Sequence, residues 1–225
     1  MVGFATLTAI LRSGVGFDVC RHGWSGNSDG GMRGCPMSLA VCCGHACRMS
    51  DYRRMWVPGG TYFFTVNLAD RSQCLLVERI DALRTSMRTV RHDHPFETVA
   101  WAVLPEHLHA IWTLPEEDRD FATRWMLIKQ KFSRRVPTGE RVSTSRARKT
   151  ERGIWQRRYW EHLIRDERDL RNHIDYIHFN PVKHRCVSQV RDWPHSSFHR
   201  FVREGVLPAD WSGESTGHVI TREAD

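Results

Sequence analysis

Hydrophobic and polar positions settle into recognisable periods only after Met49. The run Thr61–Leu68 is β-branched and aromatic, follows Pro58-Gly59-Gly60, and predicts a strand. Leu76, Ile80, Leu83, Met87 and Val90 recur at helical spacing and predict a helix over residues 76–92, ended at His94-Pro95. Phe96–Leu104 and His107–Leu114 predict two further strands, joined by a tight turn at Pro105-Glu106. Phe121, Trp125, Ile128 and Phe132 form a second helical stripe over residues 120–135. Ile154–Ile164 predicts a fourth strand. A third helix follows over residues 166–179, with Asp166 as its N-cap and Asn180, ahead of Pro181, as its end. The order β-α-β-β-α-β predicts an α+β, ferredoxin-like (RRM-like) antiparallel sheet with two helices on one face. The other face is left for a ligand or for the additional third helix.

The flanks of this pattern differ from it. Residues 1–48 hold five of the seven cysteines and a Gly/Ser/Asn/Asp-rich stretch from Gly23 to Gly34, the composition of a linker or disordered extension. Met49 then reads as the natural first residue, and residues 49–211 as the folded domain, with 212–225 a tail. Cys42-Cys43-Gly44-His45-Ala46-Cys47 lacks the paired Cys-x-x-Cys knuckles of a structural zinc site. The odd cysteine count and uneven placement argue against a secreted disulfide scaffold. The apolar start has no basic n-region before it and no cleavage site after it, which excludes a signal peptide. No run of about 18 apolar residues exists, so no membrane span is expected.

Charge changes the picture more. Lys and Arg number 33 against 26 Asp and Glu, a net +7, which points to an anionic partner, nucleic acid before membrane. Part of that excess lies in residues 137–153, almost without apolar content, which read as a mobile basic loop carrying Arg141, Arg146, Arg148, Lys149 and Arg152.

Two patterns carry candidate chemistry. In a strand, His107 and His109 project from one face while Leu108 points to the other, so two imidazoles can share a divalent cation; the alternative is an exposed sheet face that happens to be polar. On the third helix Leu170, Ile174 and Ile177 form the buried stripe, and Tyr176 and Asn180 are i, i+4 partners on a neighbouring face. An amphipathic rim is the commoner fate of such a tyrosine.

Tyr52-Arg53-Arg54, Gly59–Leu68, Leu104–His109, Ile111-Trp112, Trp155–His162, His173–His184 and Asp192–Ser197 together resemble the REP-associated tyrosine transposases, single-tyrosine HUH endonucleases of bacteria. The resemblance spans about Met49 to Trp211 and rests on several long motifs in the right order. It implies that Tyr176 is the nucleophile and that His107 and His109 bind a divalent cation, Mg²⁺ or Mn²⁺. Asn180 stands where relatives carry a polar metal ligand, often Gln. The implied activity is metal-dependent cleavage and rejoining of single-stranded DNA at REP-like hairpin repeats through a 5′-phosphotyrosine. The alternative is a non-catalytic, RRM-like protein that binds nucleic-acid repeats. DNA contacts are expected from Arg53, Arg54, Arg146, Arg148, Lys149, Arg157, Arg158 and Lys183. Trp56, Trp112, Trp155, Trp160, Trp193 and Phe198 are candidate stacking faces, most of them more at home in a core. A cytoplasmic, nucleoid-associated monomer or homodimer is the expected setting.

Overall fold

The computed structural model describes residues 55–140 and 142–213. Arg53, Arg54, Arg141 and the cysteine cluster of the first 48 residues lie outside the described residues. Four strands form one antiparallel sheet in the order β2-β3-β1-β4: β1 Thr61–Asn67, β2 Glu97–Val103, β3 His107–Thr113 and β4 Trp160–Leu163. The helices are α1 Leu75–Glu78, α2 Ile80–Asp93, α3 Phe121–Arg135, α4 Thr144–Ala147, α5 Glu167–Lys183 and α6 Phe198–Arg203, with a 3-10 turn at Val190–Asp192. This is the predicted ferredoxin-like order. Among the described residues no helix is long and apolar enough to cross a membrane.

The period-2 alternation of β1 and β3 divides the core in two. Tyr62, Phe64, Val66, Leu108, Ala110 and Trp112 face α2 and α3 and pack with Trp125, Ile128 and Phe132. Phe63, Ile111 and the β2 alanines face the other way, against Leu170, Ile174 and Ile177 of α5. The third predicted helix therefore fills the second face.

Four expectations are corrected. The first predicted helix breaks at Arg79 (φ −116°, ψ 33°), where α1 ends and α2 begins. The fourth strand is confined to Trp160–Leu163, the residues that pair with Tyr62–Thr65 of β1; in the segment before it, Trp155 makes only an isolated bridge to Leu68. That segment instead closes the end of β1, with Gln156 N–H donating to Asn67 O and Ala69 N–H to Ile154 O.

α5 runs past Asn180 to Lys183 with Pro181 inside it. So near the C-terminus Pro181 deprives the helix of only one donor, and its ring is buried. Arg185, at φ 57°, closes the end: its N–H reaches Val182 O and that of Cys186 reaches Pro181 O.

The basic loop is also tied down where it was expected to be mobile. Arg152 pairs with Glu140 at 2.5 Å and donates to the carbonyls of Ser133, Val136 and Pro137. That guanidinium brings the Glu140 carboxyl down to about 2. Arg146 donates to Trp155 O at 3.0 Å, and Arg157 pairs with Glu151 at 2.9 Å. A stretch almost without apolar residues is held by arginines satisfying carbonyls, a bond that leaves no hydrophobic period.

Candidate catalytic centre

The sheet and α5 bring four of the expected site residues together. His107 and His109 lie on the second face of β3, both buried, with ring centroids 4.9 Å apart. Tyr176, half-buried on α5, sets its ring 5.2 Å from that of His109 and 6.0 Å from Phe63. Asn180, one turn further, is fully buried.

Each histidine is oriented by a partner on Nδ1. Glu106 accepts or shares the hydrogen bond of His107 Nδ1 at 2.9 Å, and Thr65 Oγ1 meets His109 Nδ1 at 2.9 Å. The Glu106 carboxylate can only accept, so the neutral His107 keeps its proton on Nδ1 and offers the Nε2 lone pair. Where the Thr65 hydroxyl accepts from His109 Nδ1, His109 Nε2 is left with its lone pair in the same way. His109 Nε2 and both amide atoms of Asn180 are buried and find no hydrogen-bond partner among the described residues. Asn180 is nonetheless close enough to His109 to favour its protonated form. Burial overrides this and, with the charges of His107, His184 and Lys183, holds His109 well below the usual imidazole range. A neutral His109 beside orphaned carboxamide atoms is a donor set that fits a divalent cation.

Charge around the centre is asymmetric. Lys183 Nζ lies 5.0 Å from the centre of the Tyr176 ring. Glu106 is pushed up by burial, but the hydrogen bond and charge of His107 and the charge of His184 bring it net below the carboxylate range.

Three participants lie outside the residues that the sequence singles out. His184 packs its ring 4.9 Å from His107. It falls in the row Tyr176–Asn180–His184 at i, i+4, i+8, visible only if α5 is carried through Pro181. Glu106 and Thr65 are the second and third; their neighbouring polar positions were a signal, but the pairing needed the fold. A separate clip, His162–Asp169–His173, joins β4 to α5, with His162 Nε2 2.8 Å from Asp169 Oδ2 and the two imidazoles stacked at 4.7 Å. It backs onto Phe63, 4.8 Å from the His173 ring, and so supports the floor beneath Tyr176.

The DNA-contact candidates divide. Arg148, Lys149, Arg158 and Lys183 are exposed, whereas Arg146 and Arg157 have the internal partners given above. Of the aromatic candidates, Trp112, Trp155, Trp193 and Phe198 are core, and Trp56 stacks on Phe121 at 4.6 Å. Trp160 is 39% exposed and sits opposite Thr65 in the β1–β4 pair, so it shares the face of His109.

A ferredoxin-like sheet with a His-x-His strand beside its centre and a tyrosine on the helix crossing that face is the HUH fold. The comparisons with known proteins agree. Over 168 residues the chain is 49% identical to the REP-associated tyrosine transposase of Escherichia coli strain K12, covering 75% of this chain and 94% of that protein. A relative from Haemophilus influenzae is 48% identical over 166 residues, covering 73% and 94%. A solved REP-associated tyrosine transposase bound to a REP hairpin matches with a TM-score of 0.65 at 48% identity, over 76% of this chain and 96% of that one. No protein-family model matches. The chain belongs to the REP-associated tyrosine transposases.

Proposed function

We propose that this protein cuts and rejoins single-stranded DNA beside a REP-like hairpin, with Tyr176 as the nucleophile. The observation that carries the reading is the convergence of buried lone pairs on His109 and Asn180, with His107 alongside, against the Tyr176 ring. The hairpin comes from the relative solved in complex with one.

A phenol ionises near pH 10, so Tyr176 needs help to attack. The Lys183 ammonium beside its ring favours the phenolate. Attack of the Tyr176 oxygen on phosphorus forms a 5′-phosphotyrosine and breaks the bond to the 3′-oxygen, which leaves as a hydroxyl after taking a proton from solvent. A 3′-OH attacking that phosphotyrosine reverses the step and returns the proton, so rejoining needs no nucleotide cofactor. His107, His109 and Asn180 would hold a divalent cation, which supplies Lewis-acid neutralisation of a non-bridging phosphate oxygen. With two imidazole donors, Mn²⁺ matches the set better than Mg²⁺, which favours oxygen ligands. Exposed Trp160 offers a stacking face for an unpaired base, and Arg148, Lys149, Arg158 and Lys183 offer phosphate contacts.

The test is incubation with a hairpin-bearing single-stranded oligonucleotide and Mn²⁺, followed by denaturing electrophoresis for a covalent protein–DNA adduct. Wild type and Tyr159→Phe form the adduct; Tyr176→Phe does not. Binding without an adduct in wild type would leave the non-catalytic repeat binder in its place.

A further inference from the structure

At the β2 edge of the sheet, an open groove of about 1000 Å³ runs between α2, the edge strand itself and α6. Arg84, Arg88 and Arg91 line one wall at i, i+4 and i+7, which spaces their attachment points about 5–6 Å apart along one helix face. Arg203 stands on the other wall. Opposing charge is sparse: Asp81, 3.8 Å from Arg84 and almost wholly exposed, and Glu97. Arg200 is committed to the fold, donating to the carbonyls of Thr98 and Val99.

Two features narrow the occupant. The outer edge of β2 is already occupied: Val103 N–H donates to His195 O at 2.9 Å, Ser197 N–H to Trp101 O at 2.8 Å, and the Arg200 guanidinium takes the carbonyls of Thr98 and Val99. A peptide therefore cannot add to this sheet as a strand. Single-stranded nucleic acid needs aromatic platforms for its bases, but Trp101 lies under the Arg84 guanidinium, 6.0 Å away, and Phe96 is buried. What remains is a row of guanidinium groups suited to an outward-facing phosphate backbone whose bases are turned away.

We infer that this groove binds the sugar–phosphate backbone of double-stranded DNA, without reading its sequence. The groove lies close to the catalytic strand, because Ala102 of β2 pairs with His109 of β3. A stem seated there adjoins, around the β2 edge, the strand offered to Tyr176. That placement rests on the reading of the chain as a DNA-processing enzyme; the duplex binding itself does not.

The test compares the full chain with Arg84→Gln/Arg88→Gln/Arg91→Gln, using a blunt duplex oligonucleotide and, separately, an unstructured single strand of the same length. A second variant, Arg119→Gln/Arg134→Gln, removes two exposed arginines elsewhere. The groove variant should keep its melting temperature and bind the duplex about tenfold or more weakly. Its log–log salt slope should fall by about 0.9 for each phosphate that is no longer neutralised, with single-strand affinity little changed. Unchanged duplex affinity and slope would overturn the inference. So would an equal loss on the single strand, which would make the groove a single-strand track, or an equal loss in the Arg119/Arg134 variant, which would make the effect one of net charge. Duplex binding requires neither the tyrosine nor a cation, so failure of the adduct experiment leaves this outcome readable.

Discussion

The two faces of the sheet bury different kinds of unsatisfied atom. Towards α2 and α3 the core is aromatic, with Trp112 stacked on Trp125 at 4.1 Å. Its orphaned polar atoms include the indole N–H groups of Trp112, Trp125 and Trp155, donors that cannot ligate a cation. The buried Arg124 is fully used there, bonding Asp118, Asp120 O, His94 O and Pro95 O. Towards α5, every buried histidine of the described residues is present (His107, His109, His173 and His178), and the orphans on His109, His178 and Asn180 include atoms with lone pairs. One face holds the fold together; the other keeps ligand atoms dry and aimed, a cost that an occupant can recover. Substitutions on the two faces should therefore fail differently.

The largest expected effect is chemical. Replacing His109 with Ala removes a cation ligand, and with it several kcal/mol of transition-state stabilisation. Adduct formation should fall about a thousandfold or more in protein that still unfolds cooperatively, a far larger loss than the stability lost with the buried ring. Adduct formation that persists in EDTA would erase the distinction between the faces.

On the first face the reverse holds. Trp125→Ala leaves a cavity beneath Trp112 and Phe64, and should cost about 3–5 kcal/mol in urea unfolding. A cost below about 1 kcal/mol would mean that this core is not what holds the sheet.

The burial of neutral histidines sharpens the contrast through pH. His178 is fully buried, with Nε2 2.9 Å from Ser197 Oγ, and burial first, then the charges of Arg200 and His199, bring it down to about 3. Because the unfolded chain binds that proton near pH 6.5 and the folded chain does not, stability falls as pH drops below about 6.5 and continues to fall until about 3. At pH 5 this amounts to about 2 kcal/mol. His178→Gln should make the stability difference between pH 7 and pH 5 smaller by that amount, with carboxylate contributions common to both proteins. An identical pH profile would show that His178 takes up its proton in the fold.

How much of this was legible in the sequence follows the same division. Period-2 alternation in β3 assigned Leu108 and the two histidines to opposite faces. The apolar stripe of α5 put Tyr176 only on a neighbouring helix face, the family resemblance singled it out, and the fold sets its ring beside His109. What escaped was whatever depends on polar atoms meeting across the fold. Pro181 read as a helix end because local sterics say so, while the buried ring and the Arg185 closure that carry α5 through it are tertiary. His184 was lost with that turn. The staples of Arg146 and Arg152 leave no period at all, so a pinned loop looked mobile.

The smallest effect is the most discriminating, and it concerns Asn180. Both amide atoms are buried without a hydrogen-bond partner, although the side chain touches the environment of His109. If the site serves a cation, the empty protein carries the desolvation of that carboxamide uncompensated, and Asn180→Leu, similar in size but without the polar atoms, should leave stability unchanged or raise it by about 1 kcal/mol. Added Mn²⁺ should then raise the melting temperature of the wild type, because binding only to the folded state stabilises it by mass action, and raise that of the variant less. If Asn180 were a structural residue with a bound water or an adjusted partner, the same change should cost about 1–3 kcal/mol and leave the Mn²⁺ response intact. Urea unfolding of both proteins with and without Mn²⁺ separates the two cases, since stability and metal response move in opposite directions in one and not in the other.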